Sequence, residues 1–345
     1  MGRPGRRIIP LFIPHEGCPH ACSFCDQRAI SGEDKMPPEK AAEELQKAFS
    51  IPQPDGAEIA FFGGSFTCLP PERMKAYLDA ALPYLKSGQA ESLRCSTRPD
   101  GISPEILPVL QAYRMRTVEL GAQSFSDKVL SLNGRGHTTA QIESAFTLLR
   151  ENGFTAGLQI MTGLPGETEE DLALTVESVC RLHPDLLRIY PTAVIRGTPM
   201  ARWMAEGKFA PKGVEESAAI CAPILARMER EGIPVIRVGL HPSKELESQV
   251  VGGCYHPAFK ELCLARIWRD KVETVLRRFP AGTGAVLHVP APQLSQAVGQ
   301  KRANIAHWAE IGYPVQVVPD NGTEAFLTIG TQIYLLRSDY SIIQY

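Results

Sequence analysis

The pattern of apolar and polar positions divides the chain into short apolar runs separated by amphipathic segments. Residues 7–15 form an apolar run bounded by proline and glycine, which reads as a buried strand. Pro37 and Pro38 then open a segment whose apolar residues, over 39–49, fall at helical spacing with glutamates early in the run. A second buried run covers 57–66. The alternation continues with helices at 71–85, 103–113, 141–152 and 167–182, and with strands at 92–97, 116–125, 154–163 and 186–191. Strand and helix alternating in this way predict a parallel sheet with right-handed crossovers and a ligand site at the carboxyl ends of the strands. Helices at 198–209 and 213–232 and a strand at 233–240 extend the pattern and would close a partial (β/α)6 barrel.

Beyond Gly284 the pattern changes. A strand at 284–290, a short helix at 292–299, a basic turn, a helix at 303–312 and a strand at 314–320 follow one another. This order resembles the KH domain, which clamps single-stranded RNA with a G-x-x-G loop. Here the loop reads Gly299, Gln300, Lys301, Arg302, so the second glycine is missing. Two readings fit: RNA binding through Lys301 and Arg302, or a small α/β lid on the barrel. The expected organisation is a core over 1–250, a linking corner and helix over 251–283, and a C-terminal α/β domain over 284–345.

The chemistry is concentrated after the first strand. The stretch 17–27 places Cys18, Cys22 and Cys25 in C-x-x-x-C-x-x-C spacing, with Phe24 offering an aromatic face between the last two. A C-x-x-C pair alone also suits a redox dithiol or half of a zinc site. Three thiolates on one compact loop favour an iron-sulfur cluster, because a structural zinc takes four protein ligands whereas a cluster takes one thiolate per iron. The fourth iron of a 4Fe-4S cluster would then be open to a small chelating ligand. Gly63 and Gly64 end the second strand, where backbone groups can approach a ligand without side-chain obstruction. A second metal reading, at Cys254, His256 and Cys263, offers three donors at a spacing that matches no zinc pattern.

These residues resemble the radical S-adenosylmethionine (radical SAM) enzymes. The resemblance implies that the three cysteines hold a 4Fe-4S cluster and that SAM chelates the open iron. An electron from the cluster would cleave SAM to methionine and a 5′-deoxyadenosyl radical. It also implies that Gly63, Gly64 and Ser65 meet the methionyl amino group. Polar groups ending the third and fourth strands, Ser96, Thr97, Arg98, Glu119 and Gln123, would meet the ribose and carboxylate, and Gly163 and Gly166 would let adenine lie on backbone. Arg98 and Glu119 also fit plain ion pairs, the latter with Arg116 or Arg188. The chain is similar to the radical SAM core of the Elongator catalytic subunit and its short bacterial relatives at GCPHxCxFC, FFGGSF, STRPD, ELGAQSF and GLPGET, over roughly residues 8 to 260. The Elongator subunit carries an acetyltransferase domain after that core, so the resemblance does not extend to acetyl-CoA-dependent chemistry by this chain alone.

Composition narrows the partners. With 36 basic and 38 acidic residues the net charge is −2, so a nucleic-acid contact must be local. The apolar run after the basic N-terminus is short and broken by prolines, unlike a signal peptide or a membrane span. Nine cysteines without a secretory signal are no disulfide framework, and the expected location is cytoplasmic. The expectation is a radical SAM enzyme acting on a nucleotide in RNA, most simply tRNA, with flavodoxin or ferredoxin as electron donor. An enzyme acting on a small metabolite and a non-enzymatic RNA-binding iron-sulfur protein are the alternatives.

Overall fold

The computed structural model describes residues 7–14, 16–19, 21–26, 36–51, 56–337 and 342–344. His20 and Gln27 of the cysteine stretch lie outside them, as does the basic N-terminus before Arg7. The chain divides into two compact units, one of Met1–Lys212 with His241–Tyr255, the other of Gly213–Leu240 with His256–Tyr345.

In the first unit the apolar runs are strands β1 (Arg7–Ile13), β2 (Ala57–Gly63), β3 (Ala90–Thr97), β4 (Met115–Gln123), β5 (Thr155–Thr162) and β6 (Leu186–Pro191), all parallel and in sequence order. Their crossovers are the helices α1 (Pro38–Phe49), α2 (Pro71–Lys86), α3 (Leu107–Ala112), α4 (Asp127–Leu132), α5 (Thr139–Glu151) and α6 (Glu169–Leu182). Hydroxyl caps start the later helices. Thr138 and Thr168 each close a capping box, with Gln141 and Asp171 three residues on. Short α4 was not legible as a helix because its six residues carry little period; Ser126 caps it. A two-stranded ribbon, β7 (Ala193–Ile195) with β9 (Val250–Gly253), also lies in this unit, and its strands are too short to show a period in the sequence.

One face of the parallel sheet is dry. Ile9, Leu11, Ile59, Phe61, Leu93, Cys95, Val118, Leu120, Leu158, Ile160, Leu187 and Ile189 are buried, and Phe61 meets Tyr77 of α2 edge-on. The opposite face carries Glu58, Arg94, Ser96, Glu119, Gln159 and Arg188. The sheet curls around that polar face. A flat sheet would separate β2 from β6 by four strand spacings, about 19 Å, yet the Arg188 guanidinium lies 5.2 Å from the centre of the Phe62 ring. The six-stranded part is therefore the expected partial barrel, and its carboxyl ends gather on one rim.

The second unit is built from α8 (Val214–Arg230), β8 (Val235–Val238), α10 (Phe259–Leu276), α11 (Leu294–Val298) and α12 (Ala303–Glu310), whereas α7 (Pro199–Ala205) and α9 (Lys244–Gln249) belong to the first. Its sheet runs β11 (Val315–Asp320), β10 (Ala285–Pro290), β12 (Ala325–Ile329), β13 (Gln332–Leu336), β14 (Ile342–Gln344). β10 and β11 are parallel and the other pairs antiparallel. The expected strand-helix-helix-strand order is present, extended by three strands beyond it. A core of Trp268, Val272, Leu276, Leu287, Trp308, Leu327 and Tyr334 holds the helices to one face of this sheet.

Candidate functional site

The cysteine loop leaves β1 and is fixed by backbone contacts to its neighbours. Gly64 donates its N–H to the Ile13 carbonyl at 2.7 Å and Ser65 to that of Glu16 at 2.9 Å. A Cβ on Gly64 would overlap the Glu16 carbonyl oxygen, and one on Gly17 would overlap that of Ser65. Glycine at both positions is therefore what lets the β2 turn and the cysteine loop interleave. Glu16 anchors the base of the loop to α2, accepting from Arg73 at 2.5 and 2.6 Å and from the Tyr77 hydroxyl at 3.2 Å. Cys18 Sγ lies 3.5 Å from Ser65 Oγ.

The second half of the loop is stapled to the turn after α4. Ser23 donates from its backbone to the Asn133 carbonyl at 3.0 Å and from its hydroxyl to Asn133 Oδ1 at 2.6 Å. Asn133, fully buried, in turn donates to the carbonyls of Val129 and Pro165. A Cβ on Gly134 would press on the Ala21 carbonyl oxygen at 3.0 Å, and its φ of 65° favours glycine as well. The loop thus touches elements that end β2, follow β4 and follow β5, all on one rim.

Arg135 stands at the centre, and sequence reasoning passed over it. It is buried, donates from Nη1 to Cys22 Sγ at 3.1 Å and from Nη2 to the Gly121 carbonyl at 2.6 Å, and its guanidinium lies 6.0 Å from the Phe24 ring centre. Its Nε has no hydrogen-bond partner among the described residues. The available signal was weak: an arginine between two glycines that both adopt positive φ. Gln123 also adopts a left-handed φ of 68°, next to Gly121 and Arg135. Two further buried atoms at this rim lack partners among the described residues, His137 Nδ1 and Glu167 Oε1. Burial, with Arg135 and Arg98 nearby, pushes the His137 imidazole down to about 4, so the ring is neutral. Burial pushes the Glu167 carboxyl up to about 7 although it accepts the Gly163 N–H at 2.6 Å.

The residues expected to meet SAM divide into two groups. Phe24, Gly63, Gly64, Ser65, Gln123 and Gly163 stand around the cysteine loop or end β2, β4 and β5. Arg98, by contrast, is 3% exposed and committed, bidentate to Asp100 at 2.9 and 3.0 Å and bonded to the Arg135 carbonyl. Ser96 faces the polar interior and accepts from Gln159 at 3.0 Å. Glu119 pairs with Arg188 and Arg94, not with Arg116. Burial opposes its charge, but those arginines hold its carboxyl below the usual range.

The donor set suits a cluster. Burial, then the neighbouring Cys22 and Cys18, push the Cys25 thiol up to about 12. Three thiolates gathered there are unfavourable without a cation to bind them, which iron supplies. Among the described residues no three His, Cys, Asp or Glu side chains converge on one point as a lone metal ion requires, and this holds for Cys254, His256 and Cys263 as well. A cubane makes no such demand, since each thiolate takes its own iron. In the second unit Lys301 and Arg302 are exposed on the turn before α12.

Residues 12–179 match the family model of the Radical SAM superfamily, and residues 184–269 match that of the Radical SAM C-terminal domain. The chain is 26% identical to the heme chaperone HemW of Bacillus subtilis over 245 residues, 69% of this chain and 64% of that protein. It is 38% identical to the tRNA uridine(34) acetyltransferase of Dehalococcoides mccartyi over 118 residues, 33% of this chain and 26% of that protein. It is 27% identical to human Elongator complex protein 3 over 62% of this chain and 42% of that one. The chain thus spans less than two thirds of each of these relatives. Among solved structures, the archaeal Elp3 of Methanocaldococcus infernus superposes with a TM-score of 0.61 at 20% identity, covering 98% of this chain and 79% of that one, a likeness of fold.

Proposed function

The chain belongs to the radical SAM superfamily and is an enzyme whose cofactors are a 4Fe-4S cluster and S-adenosylmethionine, and from that premise we propose how its residues divide the work. Cys18, Cys22 and Cys25 hold the cluster. The observation that carries this reading is the seating of their loop on the rim of the parallel sheet, interleaved with the Gly63–Ser65 turn and capped by Arg135 on Cys22. When bound, the cofactor pair supplies a 5′-deoxyadenosyl radical that removes hydrogen from a substrate.

The protein's own part is binding and orientation. Gly63, Gly64 and Ser65 present backbone and hydroxyl groups beside Cys18, where the amino group of SAM would be met. Arg135 places a buried guanidinium against Cys22, with an Nε that has no partner among the described residues, suited to the carboxylate of the same ligand. Gln123 and Gly163 border the space beyond, and Phe24 shields the loop. Arg98 acts one step removed: by clamping Asp100 and the Arg135 carbonyl it fixes the segment that carries Arg135.

The substrate we propose is a nucleotide in RNA, most simply tRNA, with a small low-potential protein such as flavodoxin or ferredoxin as reductant. The names of the tRNA-modifying relatives support this, as do the exposed cations at Lys301 and Arg302. A small-molecule substrate is the second reading, favoured by the match to HemW over the larger share of this chain.

Anaerobic reconstitution tests the assignment. The wild type should hold about four irons per chain and, with dithionite and SAM, form 5′-deoxyadenosine. Alanine at any of Cys18, Cys22 or Cys25 should remove the cluster absorbance, while Cys95→Ala should keep it. Iron retained by the triple alanine variant would place the cluster elsewhere.

A further inference from the structure

Helix α10 carries charge that its packing does not use. Trp268, Val272 and Leu276 hold it to the core of the second unit. Arg266 and Arg269 stand outside that core at i and i+3, with side chains 31% and 17% exposed. Like charges at this spacing destabilise a helix unless an anion answers them.

The answer within the unit is incomplete. Asp270 accepts from Arg266 Nε at 2.8 and 2.9 Å, but it stands 3.8 Å from Arg269 Nε, which has no hydrogen-bond partner among the described residues. Glu273, one turn on, is taken by Arg277 at 2.7 Å and by His307 at 2.8 Å. Burial, then the neighbouring Arg266 charge, hold the Arg269 pKa below the usual arginine range, although Asp270, Glu215 and Glu273 oppose the shift.

Two more cations are fixed beside this pair. Asn304 donates from Nδ2 to the Ala265 carbonyl at 2.8 Å and to that of Ala297 at 3.0 Å, and Trp308 donates from Nε1 to the Arg269 carbonyl at 3.2 Å. Helix α12 therefore runs alongside α10 in the same sense, so the turn before it meets α10 just ahead of Arg266. Lys301 and Arg302 on that turn are exposed and sit in left-handed backbone, at φ 51° and 65°, a conformation that costs a non-glycine residue free energy. Four cations thus follow one another along one junction, in a chain whose net charge is −2. Arg266 and Arg269 alone are about 4.5 Å apart along the helix axis. A string of phosphates fits such a line better than a single anion, and guanidinium groups meet phosphate oxygens in pairs.

We propose that the junction of α10 with the 299–302 turn binds the phosphate backbone of RNA, with Arg266 and Arg269 extending the contact made by Lys301 and Arg302. The inference rests on the reading of the substrate as RNA.

Salt titrations of tRNA binding by the full-length, anaerobically reconstituted protein test it, followed by fluorescence anisotropy. Arg266→Ala and Arg269→Ala should each lower the log–log salt slope by about one phosphate contact, and by the same amount for two single-stranded RNAs of different sequence, since phosphate carries no sequence information. Arg269→Lys keeps the charge and should keep the slope. RNA with and without a 5′-terminal phosphate should bind alike, and 5′-deoxyadenosine formation from SAM with dithionite in the absence of RNA should be unchanged in every variant. If Arg269→Ala fails to fold, judged by thermal melting, the more exposed Arg266→Ala decides. Binding of tRNA with a slope indifferent to both alanine variants overturns the site and leaves the RNA reading standing. A slope lost equally in the lysine and alanine variants makes Arg269 structural, and a requirement for the terminal phosphate points to a small phosphorylated ligand; either overturns the proposal. No binding of tRNA by the wild type at low salt removes the RNA reading and the proposal together.

Discussion

At the scale of single residues, the rim is a place where ordinary side chains would not fit and buried polar atoms are left waiting. Gly64 has a conformation open to any residue, so its constraint is steric: a Cβ there would lie 1.9 Å from the Glu16 carbonyl oxygen and 2.9 Å from that of Ile13. Gly64→Ala should therefore loosen the cysteine loop and lower both cluster occupancy and SAM retention, read by iron content and dialysis. Glu167 gives a pH signature. Its folded pKa, raised to about 7, lies above the ordinary value of 4.5, so between those pH values the folded state binds more protons than the unfolded one. Stability contributed by the neutral carboxyl is present below about pH 4.5 and lost as pH rises through 7. Glu167→Gln should flatten that decline by at most about 3 kcal/mol, measured as the pH dependence of chemical denaturation.

At the scale of elements, the repeating strands and helices were legible because each carries its own period and its own turn chemistry. The cysteine loop was legible because thiolate spacing has few uses. The rim proposed to hold the cofactors was only partly so. Arg98 and Gln123 both end strands with polar groups, and nothing local distinguishes an arginine that clamps Asp100 from one that waits for a ligand. Arg135 sits outside any strand end and becomes central only because the turn after α4 folds back onto Cys22, a contact between residues 113 apart in sequence. Strand β12 alternates as well but β13 does not, and the KH-like order ahead of them already accounts for a small domain without those strands. The loop before α12 adds a correction of a different kind. Arg302 takes the left-handed conformation, with φ 65°, which glycine adopts most readily, and Lys301 does so as well at 51°. Two non-glycine residues in that region put strain into the turn. Asn304 secures the turn by donating to the carbonyls of Ala265 and Ala297. Arg302→Gly should relieve about 1 kcal/mol of that strain and raise the melting temperature by about one to two degrees.

At the scale of the whole molecule, charge decides how RNA could be recognised. With a net charge of −2 the chain as a whole exerts no attraction on a polyanion, and the inner face of the sheet is internally neutral. Affinity for a phosphate backbone must then come from few, local cations, of which Lys301 and Arg302 are held in place by a strained and well-anchored turn. Binding of tRNA should consequently be weak and should involve few phosphates, with a log–log salt slope of roughly −0.7 per phosphate met along a single strand. The Lys301→Ala, Arg302→Ala double variant should reduce that slope by one to two contacts while leaving SAM cleavage in the absence of RNA unaffected. Arg302→Gly separates charge from backbone. If the turn meets phosphate through its N–H groups, the glycine variant should bind as well as the wild type or better, whereas a contact made by the guanidinium predicts weaker binding and a shallower slope. A salt slope that neither the double variant nor the glycine variant changes would assign the RNA contact to another surface of the protein, and no binding at low salt would transfer the substrate to the small-molecule reading.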